Sequence, residues 1–133
     1  MRSGDFKTIL LLKSNVASIS EVDDQAMLAI QEVLAPLGYR LMLEVLPARD
    51  VAEKEFSSFL NKHCVDGVLI AINRQIPPWL SELLDALDVP KVWVGSRHNN
   101  DCVRHDDYQA AFDATKRLID LGHQRVLYAD LPF

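Results

Sequence analysis

The chain has 133 residues, 49% hydrophobic and 25% charged, ordinary proportions for one globular domain with a sizeable core, and they argue against disorder. A net charge of -5 lacks the clustered Lys and Arg that a phosphate backbone requires, which excludes DNA binding by this chain alone. No apolar run approaches the roughly 18 residues of a membrane span and Met1 to Asp5 open no signal peptide, so a cytoplasmic protein is the default; Cys64 and Cys102 form no disulfide framework.

In chain order, Ile9 to Leu12 is a short continuous apolar run, the mark of a strand buried on both faces. Ala26, Ile30, Val33 and Leu37 then recur at helical spacing up to the Gly38 stop. Leu41 to Val45 is mixed enough for an edge strand, and Ala52, Phe56, Phe59 and Leu60 predict a second amphipathic helix. Val68 to Ile72 is the third strand. Pro77-Pro78 opens a third helix carrying Leu80, Leu83, Leu84 and Leu87 up to Pro90, and Val92 to Val94 is the fourth strand. Ala111, Ala114, Leu118 and Leu121 line a fourth helix stopped by Gly122, with Asp106 and Gln109 spaced as a capping box, and Val126 to Ala129 is the fifth strand.

Strand and helix alternate with short connections and no internal repeat, linker or low-complexity tract, so residues 1–133 read as one domain. The fold class is α/β, a doubly wound parallel sheet of about five strands with helices on both faces. Ligands of such sheets bind outside the carboxyl ends of the strands, which directs attention to four loops: Lys13 to Ser20, Pro47 to Asp50, Asn73 to Ile76 and Gly95 to Asp106.

The loops lack the glycine patterns of nucleotide sites, and strands one and three end at Leu12-Lys13 and Ile72-Asn73 rather than in the carboxylates of a phospho-acceptor domain. In Ser96 to Asp107, His98, Cys102 and His105 are too irregularly spaced for zinc, and Asn99-Asn100-Asp101 is a turn rather than a nucleophile elbow. The stretch reads as a polar loop, a brief extended Cys102-Val103 and a helix cap at Asp106. No metal, cofactor or catalytic residue is expected; a flavodoxin-like enzyme using Cys102 and His105 is a distant alternative. His63 and His123 suit helix carboxyl ends, Trp93 suits a core, and Trp79 either caps the core or meets a partner.

The last third, Val103, Asp106-Asp107, Ala110-Ala111, Ala114-Thr115, Leu118-Ile119, Leu121-Gly122-His123 and Arg125-Val126, resembles the effector-binding domain of LacI/GalR transcription regulators, of type I periplasmic-binding-protein fold. Upstream, Leu37-Gly38-Tyr39, Val65-Asp66-Gly67-Val68 and Val89-Pro90-Lys91-Val92 extend the resemblance over nearly the whole chain. It implies a sensor that binds a small metabolite, often a sugar, between two lobes, forms a homodimer, and reaches DNA only through a module absent from this chain. By position, the ligand residues would be Asn15, Ser18, Asn73, Arg74, Ser96, Arg97 and Asp106, and the dimer contacts Met27, Gln31, Trp79 and Leu80. A sugar transporter's solute-binding protein shares the fold and is the alternative.

The sequence departs from the family where Ile19 to Asp23 stands in place of Asn-Pro-Phe-Phe, and where Gly95-Ser96-Arg97 replaces the usual Asp-Arg. The resemblance also implies that the chain is most of a first lobe, with apolar surface left uncovered and a tendency to self-associate.

Overall fold

A computed structural model describes residues 5–14, 22–46, 65–72, 76, 78–95 and 101–129. Its strands are β1 (Thr8–Ser14), β2 (Arg40–Leu46), β3 (Gly67–Ala71), β4 (Lys91–Val94) and β5 (Cys102–Val103). They form one sheet in the order β2-β1-β3-β4-β5 with every pairing parallel. The doubly wound parallel architecture expected from the alternation is therefore present.

The interior strand β1 carries an unbroken apolar run, Ile9 to Leu12, because both its faces are covered: Leu10 and Leu12 point to one layer, Leu11 to the other, and all three are fully buried. The larger layer joins Leu10, Leu12, Val68, Ile70 and Trp93 to Leu80 and Leu84 of helix α2 (Pro78–Asp85). Pro78 suits a first turn, where its missing N–H costs nothing. Lys91 Nζ donates to the carbonyls of Asp85 (3.2 Å) and Leu87 (3.1 Å) and so closes the helix's other end.

Helix α1 (Asp24–Leu34) covers the opposite face. The Asp23 carboxylate caps it by accepting from Ala26 N at 2.8 Å, and Val22 and Met27 pack together beneath that cap as a hydrophobic staple. Pro36 converts the last turn to a 3-10 helix over Ala35–Leu37, and Gly38, at φ 75°, reverses the chain into β2. The buried side is Ala26, Met27 and Ile30, whereas Val33 and Leu37 of the expected stripe are more than 60% exposed. Its covered side belongs to the cluster of Leu11, Leu41, Leu69 and Ala71, and the outer part of its stripe joins none of the described core.

The chain's last third corrects two expectations. The fifth strand is Cys102–Val103, two residues that pair with Trp93 and Val94, while 126–129 carry no strand. The last helix, α3 (Asp107–Asp120), is exposed at every residue, and Phe112, Ile119, Leu121, Leu127 and Tyr128 are uncovered. Its stability is local. Asp106 accepts from Gln109 N at 3.0 Å, Lys116 pairs with Asp120 at 2.6 Å, and His123 N and Gly122 N donate to Leu118 and Ile119 carbonyls in a Schellman turn. The capping box is half made, since Gln109 Nε2 donates to Asp113 Oδ1 instead of reaching back to the cap. The second predicted helix, with His63 and Cys64, lies outside the described residues.

No described helix is long and apolar enough to cross a membrane.

Candidate functional site

The strand order locates the site. From β1 the chain crosses to β2 on one side, and from β3 it crosses to β4 on the other, so the winding reverses between β1 and β3. Connections that diverge leave a crevice above the carboxyl ends of those two strands, where ligands of open parallel sheets are held.

The strand ends are level. Lys13 pairs with Ala71 and Ser14 with Leu46, which sets the mouths of the β1, β2 and β3 loops at one height. Ser14 is buried to 8% exposure at this edge, a polar side chain at the carboxyl end of the strand. In the sequence Ser14 falls in the expected loop Lys13 to Ser20; its burial is set by strand pairing, which no local pattern reveals. Lys13 Nζ donates to the Val22 carbonyl at 3.2 Å, tying the strand end to the start of α1. Farther along the edge, Gly95 leaves β4 at φ 77°, a left-handed turn that glycine adopts without penalty.

Of the expected ligand residues, Asn15, Ser18, Asn73, Arg74, Ser96 and Arg97 lie outside the described residues. Asn15 follows Ser14 in the chain and Asn73 follows Ile72, the ends of the two switch-point segments. Asp106 is described: it is exposed, caps α3, and helps line an open depression of ≈ 350 Å³ with Arg104, His105, Asp107 and Tyr108. Among the described residues its lining is one continuous stretch of chain that follows β5, the strand at the edge of the sheet.

Cys102 packs against the large core layer as a small apolar side chain, and His105 is exposed on the way to α3. His98 lies outside the described residues, among which no three His, Cys, Asp or Glu side chains converge as a metal site. Of the residues expected at a dimer contact, Gln31 is exposed, Trp79 is half-buried against the core, and Met27 is half-buried under α1. Leu80, 2% exposed, is a core residue and presents no surface to a partner.

A family model described as periplasmic binding proteins and the sugar binding domain of the LacI family matches residues 6–132. The chain belongs to that family. Among solved structures, it is similar to a LacI family transcriptional regulator from Mycobacterium smegmatis at 25% identity and TM-score 0.63, with 87% of this chain and 42% of that one covered. A LacI-family regulatory protein from Corynebacterium glutamicum aligns at 27% identity and TM-score 0.58, covering 88% and 40%. The Escherichia coli transcriptional repressor ascG shares the fold at 21% identity and TM-score 0.70, covering 88% and 44%. The chain thus spans less than half the length of these regulators. A search of curated proteins found no match.

Proposed function

We propose that this chain carries the effector-sensing first lobe, and the start of the second, of a LacI-type transcription regulator, acting as a non-enzymatic repressor component in the cytoplasm. A small polyhydroxylated metabolite such as a sugar is held at the carboxyl edge of the sheet. The observation that carries this reading is the reversal of winding between β1 and β3 in a chain of this family. Asn15, Ser18, Asn73 and Arg74 are the proposed hydroxyl partners nearest the crevice in sequence, with Ser96, Arg97 and Asp106 along the same edge. Asn and Arg supply the donors and acceptors that pair hydroxyls in a dehydrated cleft.

A sensor needs two states with different affinity for its effector, and one lobe supplies only half a cleft. The uncovered face of α3, with Phe112, Ile119 and Leu121, supports a second lobe: an amphipathic helix with its apolar side in water requires a packing partner. In this reading the first lobe ends near Val103, and α3 begins the second. The exposed Val33, Leu37, Leu43 and Val45 of the α1 and β2 edge, with Gln31, are the proposed homodimer surface, in place of Met27 and Leu80. DNA is reached through a module outside this chain.

A thermal-shift screen of sugars, sugar phosphates, nucleosides and purines against this chain and a form extended through the second lobe tests the proposal. A ligand at 100 times its dissociation constant adds about 2.7 kcal/mol. Response of the extended form alone is expected; silence of both overturns the sensor reading. A sugar response in a parent protein that lacks a DNA-binding module turns it to a transporter's solute-binding protein.

A further inference from the structure

At the opposite edge of the sheet, where the chain enters β1, Lys7 adopts φ 51°, a left-handed conformation that costs a side-chain-bearing residue energy. The Asp66 carboxylate spans this kink. Its Oδ1 accepts from Phe6 N at 3.0 Å and its Oδ2 from Thr8 N at 3.2 Å, so one anion holds the amides on either side of the strained residue. Two backbone N–H groups converging across a left-handed residue form an anion nest, and here the anion is supplied by a residue about 60 positions away in sequence. Asp66 N returns a bond to the Thr8 carbonyl at 2.8 Å, and Thr8 Oγ1 donates to the Phe6 carbonyl at 3.0 Å. The kinked side chain is held as well: Lys7 Nζ lies 3.1 Å from Asp5 Oδ2 and 4.7 Å above the Tyr39 ring.

We infer that residues 5–8 form a strained clasp, held closed by Asp66, that opens as a local unit without unfolding the sheet. Lys7 and Asp5 are half-exposed, and the segment contributes none of the fully buried core side chains. Local opening of low free energy belongs to segments of this kind. β3 begins beside Asp66 and ends at the switch-point edge, so a movement of that strand acts on the clasp and on the crevice together. In the regulator reading above, which this consequence alone rests on, Asp66 is a positioning residue that sets the direction of the chain ahead of β1.

Amide hydrogen exchange on the full chain tests the clasp independently of any effector. Lys7→Gly and Lys7→Ala both lose the Asp5 and Tyr39 contacts and differ only in backbone freedom. If Lys7 is strained, the Phe6 and Thr8 amides exchange at least about fivefold more slowly in the glycine variant than in the alanine variant. Asp66→Asn, which places an NH2 donor against one of the two N–H groups, is expected to speed exchange at Phe6 and Thr8 about tenfold, with the amides of central β1 and β3 unchanged. Equal rates in Lys7→Gly and Lys7→Ala, or an Asp66→Asn effect spread evenly over β1 and β3, overturns the proposal. If Asp66→Asn does not fold, the Lys7 pair still decides it.

Discussion

Leu84→Ala is the sharpest test of how the sheet is covered. Leu84 is fully buried within the layer formed by Leu10, Leu12, Ile70 and Trp93, and with Leu80 it is one of only two buried residues of the eight-residue α2. Truncation removes three carbons from a dry environment, worth about 0.8 kcal/mol each, and leaves a cavity that so short a helix can close only in part. The expected loss is about 3 to 4 kcal/mol, a large share of the roughly 5 to 15 kcal/mol that holds a domain together. At about 4 °C per kcal/mol, the melting temperature falls by about 12 to 16 °C. Urea unfolding followed by the fluorescence of Trp79 and buried Trp93 gives the assay, with Glu82→Ala, on the exposed side of the same helix, as a control expected within about 0.5 kcal/mol. A Leu84→Ala loss below about 1 kcal/mol, or one matched by Glu82→Ala, refutes the docking of α2 on the sheet.

Gly38→Ala is expected to cost about 1 to 2 kcal/mol although a Cβ there meets nothing within 4 Å, because φ 75° alone disfavours it; Gly38→Asn costs less, and chemical denaturation ranks the two. Phe112→Ser on α3, at a position 52% exposed, is expected to change stability by less than about 0.5 kcal/mol in this chain and to reduce its self-association in light scattering; a loss above about 2 kcal/mol would show the face to be packed. The hydrogen bond that Lys7 Nζ donates to the Asp5 carboxylate raises the Lys7 pKa, against a smaller opposing effect of burial. A raised folded-state value gives a stabilising contribution that is fully present below the ordinary lysine value of 10.5 and is lost as the pH rises from there through the raised folded value; Asp5→Asn is expected to lower the Lys7 titration seen by NMR.

The sheet's interior strands were legible in the sequence because burial on both faces demands an unalternating apolar run, and Ile9 to Leu12, Val68 to Ile72 and Val92 to Val94 lie within or overlap β1, β3 and β4. Helix caps and stops were legible for a similar reason: Asp106 and Gly38 act on backbone groups within a few residues, and local chemistry suffices for them. The same local pattern misplaced the last strand. Val126 to Ala129 is as apolar as the true strands, but a strand exists only where a neighbour supplies a hydrogen-bonding ladder, and here two residues at Cys102–Val103 take the place beside β4. Met27, Val33 and Leu37 show the same limit on a helix, since periodicity identifies an apolar face but not how much sheet lies beneath it. The sequence alone determined the alternation of elements and the loops that could bear a ligand. The tertiary structure decided which loops matter, because strand order sets the switch point between β1 and β3, and order depends on contacts between residues far apart in the chain.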